Sequence, residues 1–313
     1  MTEIKEKTSK MIEFKPITLN DKSFYESKLS DGFERGGDFS FANLYLWGRQ
    51  SMAKIGDEIV IFSQFNRRSV YPFPVGPGDK KAALDAIIND SAARGIPCRI
   101  SGLCHEARRL LEELYPGKFR YHCDESAFDY IYYIDDLADL KGKKYHSKRN
   151  HVNRFKADYP NYVVEPINEA NLCEAIRMVE LWYEEKVAEN PDSDFHMEKA
   201  AIKKAFRDYK ELELEGLMIK IDGKSVALTL ASRVGKDMFD VHFEKALKGI
   251  NGAYAAINYE FANFIRGKYP EIRFLNREED MGLEGLRRAK RSYYPCHMVK
   301  KCWACLLEDG YDY

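Results

Sequence analysis

The sequence predicts a mixed α/β chain of two domains whose central sheets are largely antiparallel. Three observations carry this. The chain has 313 residues, enough for two domains that each bury a core. Its second half reads strand, helix, helix, strand, strand, strand, helix, strand, an order that uniform parallel winding does not produce. Asp222-Gly223 separates two apolar runs, 214–221 and 225–234, and that dipeptide is a strong two-residue hairpin signal. Hydrophobic content of 45%, charged content of 32% and a formal net charge of −1 describe a soluble globular protein.

Taken in order, residues 1–11 read as a tail. Asp38 to Gln50 places apolar residues at helical spacing, with Asp38 or Ser40 as N-cap. Phe39, Phe41, Tyr45 and Trp47 there read as core, and Asn43 is the polar residue to watch. Glu58 to Phe65 is a strand. Tyr71-Pro72-Phe73-Pro74 is extended and turns at Gly76-Pro77-Gly78. An amphipathic helix spans Asp79 to Arg94 and ends near Gly95. Residues 98–102 form a short strand, 105–114 a helix and 130–134 an aromatic strand. In the second half, 162–166 is a strand, 169–189 and 197–209 are helices, and 214–221 with 225–234 form the hairpin. A strand over 237–243, a helix over 252–266 and a strand over 272–275 follow.

This pattern places an N-terminal domain at 12–140, a basic linker helix at 141–160 and a C-terminal domain at 161–313. No apolar run approaches the length that spans a bilayer, and the polar start Met1-Thr2-Glu3-Ile4-Lys5 lacks the apolar core of a signal peptide. A cytoplasmic protein is expected. The seven cysteines are odd in number and scattered, so they are expected to be reduced thiols that pack as small hydrophobes.

Charge is localised. Glu278, Glu279 and Asp280 precede Gly282 and Gly285, and Arg287, Arg288, Lys290 and Arg291 follow at once. Residues 141–156 carry seven Lys and Arg and no acid. Such a run forgoes the i,i+4 ion pairs an ordinary exposed helix would use, so an anionic partner is expected, a small ligand or the backbone of a tRNA. Lys144, Arg149, Asn150, Asn153 and Arg154 supply its donors, while Tyr145, Val152 and Phe155 form a narrow apolar stripe. Asn276, Arg277 and Arg287 complete the expected substrate-binding set.

The order of elements in the second half resembles the GNAT acyltransferase fold. That resemblance implies an acyl-CoA pyrophosphate site at Lys248, Gly249, Asn251, Gly252 and Ala253, where backbone amides open a helix. The basic helix, Asn276–Glu279 and Gly285-Leu286-Arg287-Arg288-Ala289-Lys290-Arg291-Ser292-Tyr293 are similar to bacterial proteins grouped with the C-terminal domain of phosphatidylglycerol lysyltransferases. That group implies tandem GNAT-like domains, a kinship with Fem-type aminoacyl-tRNA-dependent transferases, and a Lys near the acyl centre, here Lys290. The membrane-embedded half of the lysyltransferases has no counterpart in this sequence, so a lipid acceptor does not follow.

Acyl transfer to an amine needs a base and donors for the developing oxyanion. Glu278, Glu279, Asp280 and Glu244 are the candidate bases, and Lys290 the oxyanion or phosphate partner. The plain alternative is that these acids pair with Arg277, Arg287 or Arg288 on a solvated loop. No metal is expected. His146 and His151 lie five apart and share no helical face, and Cys302-Trp303-Ala304-Cys305 lacks a second cysteine pair and alternates as a strand. The expected function is an acyl- or aminoacyl-transferase acting on an amine or hydroxyl, with acyl-CoA or aminoacyl-tRNA as donor. The rival is a non-catalytic GNAT-like ligand sensor; a closed, fully ion-paired acidic cluster would favour it. Acceptor and oligomeric state are not legible.

Overall fold

A computed structural model of the chain describes residues 11–29, 36–65, 68–191 and 194–307. All but the last residue of the expected tail lies outside that set. The chain divides into two compact units, one of residues 1–34, 48–125 and 300–313, the other of residues 35–47 and 126–299.

In chain order the structure runs β1 (Lys15–Pro16), α1 (Lys22–Glu26), α2 (Phe41–Leu46), β2 (Gln50–Ile55), β3 (Glu58–Phe65), β4 (Arg68–Pro72), α3 (Lys80–Arg94), β5 (Arg99–Leu103), α4 (His105–Leu114) and β6 (Phe119–Cys123). It continues through β7 (Asp129–Tyr133), α5 (Ile134–Asp139), α6 (His146–Asp158), β8 (Val163–Pro166), α7 (Leu172–Glu189), α8 (His196–Arg207), β9 (Glu215–Ile221), β10 (Lys224–Val234) and β11 (Met238–Ala246). The last elements are α9 (Ala253–Lys268), β12 (Phe274–Asn276), α10 (Glu284–Arg291), β13 (His297–Val299) and β14 (Cys302–Leu306).

Among the described residues each unit has one seven-stranded sheet, ordered β1-β2-β3-β4-β5-β14-β6 and β8-β9-β10-β11-β12-β7-β13. Both sheets follow one rule: three antiparallel pairings, one parallel pairing, then two antiparallel ones. The sixth slot is filled by exchange. The strand that follows β6 in the chain, β7, enters the second unit's sheet, and the strand that follows β13, β14, enters the first unit's sheet. A strand in that slot has both edges hydrogen-bonded, which holds it firmly in its sheet.

In the first unit, β3 reads Glu-Ile-Val-Ile-Phe-Ser-Gln-Phe, a nearly continuous apolar run, as a strand covered on both faces requires. Asp79 caps α3 by accepting from the Ala82 amide at 3.1 Å, and Gly95 ends it at φ 64°. Leu84 and Ile87 of α3 pack with Val60, Ile100, Leu111 and Ala304. In the second unit α9 lays Ala256, Phe261 and Ile265 on the sheet beside Phe239 and Leu275. The expected hairpin forms through Asp222 and Gly223, both at positive φ, the geometry a two-residue turn needs.

Four expectations are corrected. The boundary near residue 140 is not where the compact units divide, because β7 pairs with β12 and β13, which are more than a hundred residues away in the chain. The basic segment is likewise no linker between units: α6 lies wholly within the second one. The single helix over 38–50 is instead α2, capped by Ser40 at 3.2 Å from the Asn43 amide, followed by a strand that starts at Gln50. The cysteines are not all thiols. Cys123 and Cys302 face each other in the β6–β14 register and form a disulfide. A separation of 179 residues hid that pair.

Candidate functional site

The polar residues of interest gather where β11 and β12 part. These strands pair in parallel from Met238–Phe274 to Asp240–Asn276. Then β12 stops while β11 runs on to Ala246. Alternation along β11 sends Phe239 and Val241 into the core, so Asp240 faces the other way; a register shift between Leu230 and Ala231 then skips His242 and returns Glu244 to the Val241 side of the strand.

Below the parting lies a tight acid–imidazole cluster. Asp240 and His242 are buried. His242 Nδ1 sits 3.4 Å from Glu278 Oε1 and 3.6 Å from Asp240 Oδ2, and its Nε2 meets Ser232 Oγ at 2.8 Å. Asn43 donates from Nδ2 to Glu278 Oε1 at 2.7 Å and to the Gly37 carbonyl at 3.0 Å. The Gly37 amide donates to buried Asp129 at 2.7 Å, and Asn276 donates to the same carboxylate oxygen at 3.1 Å. A Cβ on Gly37 would stand 3.1 Å from Asp240 Oδ2, so glycine lets the backbone press onto the acids. Glu278 holds φ at 54°, an uncommon state for a non-glycine residue, and the Asn276 side chain accepts from its amide at 2.7 Å.

At the parting itself Glu244 forms the second cluster. Its carboxylate accepts from Arg277 Nη2 at 2.7 Å and from Asn258 Nδ2 at 3.4 Å, and Thr229 is its partner in the β10–β11 register. Among the described residues, Arg277 Nη1, Asn258 Oδ1 and Thr229 Oγ1 are buried without a hydrogen-bond partner. The guanidinium lies 5.1 Å from the Tyr293 ring, and Lys148 Nζ lies 4.2 Å from it. Burial and the nearby Arg277 charge push the Lys148 pKa down.

The remaining sequence-predicted residues are distributed as follows. Asp280 is closed: it accepts from Arg287 at 2.9 and 3.1 Å, from Tyr130 at 2.7 Å and from the Gly282 amide at 2.9 Å. Arg287 above all holds its carboxyl down at about 2. Lys290 is buried and donates to the carbonyls of Arg277, Glu278 and Glu279. Its ammonium has three donors, so this geometry leaves none for an acyl oxygen. Burial, then the Arg277 charge, bring its pKa down to about 8. Lys290 therefore braces the loop that carries Glu278.

On α6 the expected stripe of Tyr145, Val152 and Phe155 is buried. Arg149 turns back to the carbonyls of Leu140 and Gly142. Lys144 pairs with Asp136 and Arg154 with Asp158, Asn150 faces His146 at 3.4 Å, and Asn153 is exposed. The helix thus contributes Lys148, which the sequence reading did not select. Its place between Tyr145 and Val152 on the stripe was the available signal. Asp240 and His242 were also missed, and polar residues alternating with Phe239, Val241 and Phe243 along one strand were theirs.

The loop before α9 does not present an open anion cradle. The Lys248 amide donates to Glu185 at 2.8 Å and its ammonium pairs with Glu189 at 2.7 Å. Gly249 and Gly252 have positive φ, Asn251 is exposed and Ala253 buried. A Cβ on Gly252 would lie 2.6 Å from the His151 carbonyl of α6. Two cavities lie elsewhere in this unit. One of about 250 Å³ runs along α7 and α8 past Ile176, Tyr183 and Phe206, and a wider one of about 560 Å³ passes Tyr209, Phe239 and Tyr269. Neither is lined by the two polar clusters.

Two sheets built to one GNAT-like plan, with a polar centre where the parallel pair parts, define a tandem GNAT-like fold. Residues 31–305 match the family of the phosphatidylglycerol lysyltransferase C-terminal domain, and the chain belongs to that family. A conserved protein of unknown function from Bacteroides thetaiotaomicron VPI-5482 is 38% identical, with a TM-score of 0.89 over 95% of this chain and 100% of that one. L-PGS from Bacillus licheniformis shares the fold at 16% identity, with a TM-score of 0.70 over 95% and 94% of the two chains. FemX shares it at 10% identity and a TM-score of 0.60 over 95% and 98%, and a tandem GNAT protein from the clavulanic acid pathway at 9% and 0.50 over 96% and 100%. An uncharacterised protein of Mycoplasmoides gallisepticum is 27% identical over 183 residues. That match spans about half the length of this curated relative, 56% of each chain. No described helix is long and apolar enough to cross a membrane.

Proposed function

We propose that the protein is a cytoplasmic aminoacyltransferase that moves an aminoacyl group from tRNA to an amine or hydroxyl, with its centre at Glu244 and Arg277. The observation that carries this reading is the set of unpartnered buried atoms around Glu244: a donor, Arg277 Nη1, an acceptor, Asn258 Oδ1, and a hydroxyl able to accept, Thr229 Oγ1. A carbonyl asks for the donor and an α-ammonium for the acceptors, so the set suits an aminoacyl group. In the transfer, the acceptor nitrogen or oxygen forms a bond to the ester carbonyl carbon. Glu244 takes the proton the nucleophile loses, the bond to the tRNA ribose oxygen breaks, and Glu244 returns that proton to the leaving oxygen. Arg277 meets the charge that develops on the carbonyl oxygen. The tRNA donor is favoured over acyl-CoA because Glu185 already holds the amide of the α9 loop, where a carboxylate repels a pyrophosphate.

The test is a transfer assay with aminoacylated tRNA and, in parallel, acyl-CoA. Glu244→Gln and Arg277→Lys should lower turnover by about 100- to 1000-fold, the usual cost of an oxyanion donor, with a smaller effect on donor binding. Transfer from acyl-CoA alone overturns the choice of donor. Saturable binding with no transfer favours the second reading, a ligand sensor, for which the closed Asp280–Arg287 pair and the fully engaged Lys290 speak.

A further inference from the structure

We propose that Asp240, His242 and Glu278 form a binding site for one divalent first-row transition-metal ion of the zinc class. The inference is independent of the acyl chemistry at Glu244. One ligand atom from each of the three side chains lies within 4.8 Å of the other two. A direct N–H to carboxylate bond centres near about 2.9 Å, whereas His242 Nδ1 stands 3.4 and 3.6 Å from the two carboxylate oxygens. Ligands held at zinc bond lengths in a tetrahedron are separated by about 3.3–3.5 Å, close to the two edges His242 makes.

The surroundings supply the outer contacts such a site requires. Ser232 Oγ engages His242 Nε2 at 2.8 Å, which fixes the ring and leaves the Nδ1 lone pair for the ion, with Nε2–H donating to the hydroxyl. Asn43 Nδ2 lies 2.7 Å from Glu278 Oε1 and 3.4 Å from Asp240 Oδ2, so an amide donor sits between the carboxylates and orients both. Ser232 and Asp240 are register partners on adjacent strands, and Lys290 braces the backbone that delivers Glu278. Asp240 and His242 thus come from a rigid strand, and Glu278 from a braced loop end. Three protein ligands leave one coordination position open to water or a small oxygen ligand.

The experiment uses the full chain, stripped with a chelator and titrated with Zn²⁺ by calorimetry and with Co²⁺ by visible absorption. The expected result is one ion per chain with tetrahedral Co²⁺ bands, abolished in His242→Ala and in Glu278→Gln. Ser232→Ala should weaken binding by about 10- to 100-fold, as for other outer-shell partners. Glu278→Gln is nearly isosteric on a partly exposed side chain, so it keeps the test valid if His242→Ala fails to fold. The proposal is overturned by absence of stoichiometric binding, by binding that survives Glu278→Gln, or by binding that vanishes in Cys173→Ser or Cys296→Ser, the exposed thiols. Labelling of Ser232 by a fluorophosphonate in the metal-free chain would also overturn it, because Nε2 would then be an acceptor in a Ser–His–acid relay.

Discussion

The ammonium of Lys290 lies 2.6 Å from the carbonyl oxygen of Glu279, in a site that is 7% exposed. Its pKa is held at about 8, against an ordinary 10.5, chiefly by burial. Between those two values the unfolded chain binds more protons than the folded one, so stability rises with pH across that window. We predict that urea unfolding of the native chain, compared with Lys290→Met, shifts in favour of the native chain by about 3 kcal/mol from pH 8 to 10.5. Parallel pH profiles for the two proteins would mean that Lys290 is not buried as a cation in solution.

Asp280 behaves in the opposite sense. Arg287 and Tyr130 lower its folded pKa to about 2 from 3.8, so its contribution is complete above pH 3.8 and is lost as pH falls through 2. Asp280→Asn should cost about 2 kcal/mol at neutral pH, and the gap to the native chain should close in acid. If the variant is neutral in stability yet abolishes transfer, Asp280 returns to the list of candidate bases.

Gly252 separates a packing role from a phosphate role. It stands at φ 79° with the His151 carbonyl 2.6 Å from where a Cβ would sit. Gly252→Ala should therefore destabilise the protein by about 2–3 kcal/mol, from the left-handed backbone and the clash together. Calorimetric melting reads this directly. A normal melting temperature with lost acyl-CoA binding would restore the loop as a pyrophosphate cradle.

The cations of α6 divide by partner. Arg149 donates to the Leu140 and Gly142 carbonyls, so Arg149→Ala should cost about 1.5–3 kcal/mol of stability and leave tRNA binding unchanged. Lys148, stacked on Tyr293, should show the reverse pattern. Filter binding at two salt concentrations checks both, since a lost phosphate contact also flattens the salt dependence.

Local signals carried much of the chain. The Asp222-Gly223 hairpin, the α3 helix with its Asp79 and Gly95 ends, and the buried stripe on α6 all follow from spacing within a few residues. Asn43 was the polar residue to watch on its helix, and it reaches Glu278. The acids at 278–280 were legible as a group but not as individuals. Their backbone neighbours are the same, yet Asp280 is closed by Arg287 and Tyr130 while Glu278 opens toward His242.

What the sequence by itself determined was the element types, the antiparallel bias and the places where charge concentrates, because periodicity and turn chemistry act over short chain distances. Only the tertiary structure decided which strand fills the sixth slot of each sheet, that Cys123 meets Cys302, and that Asp240, His242 and Glu278 converge. Those outcomes join residues tens to nearly two hundred positions apart or depend on how adjacent strands part. They are set by the need to satisfy two strand edges and bury two cores at once, a condition on the whole chain that no local window contains.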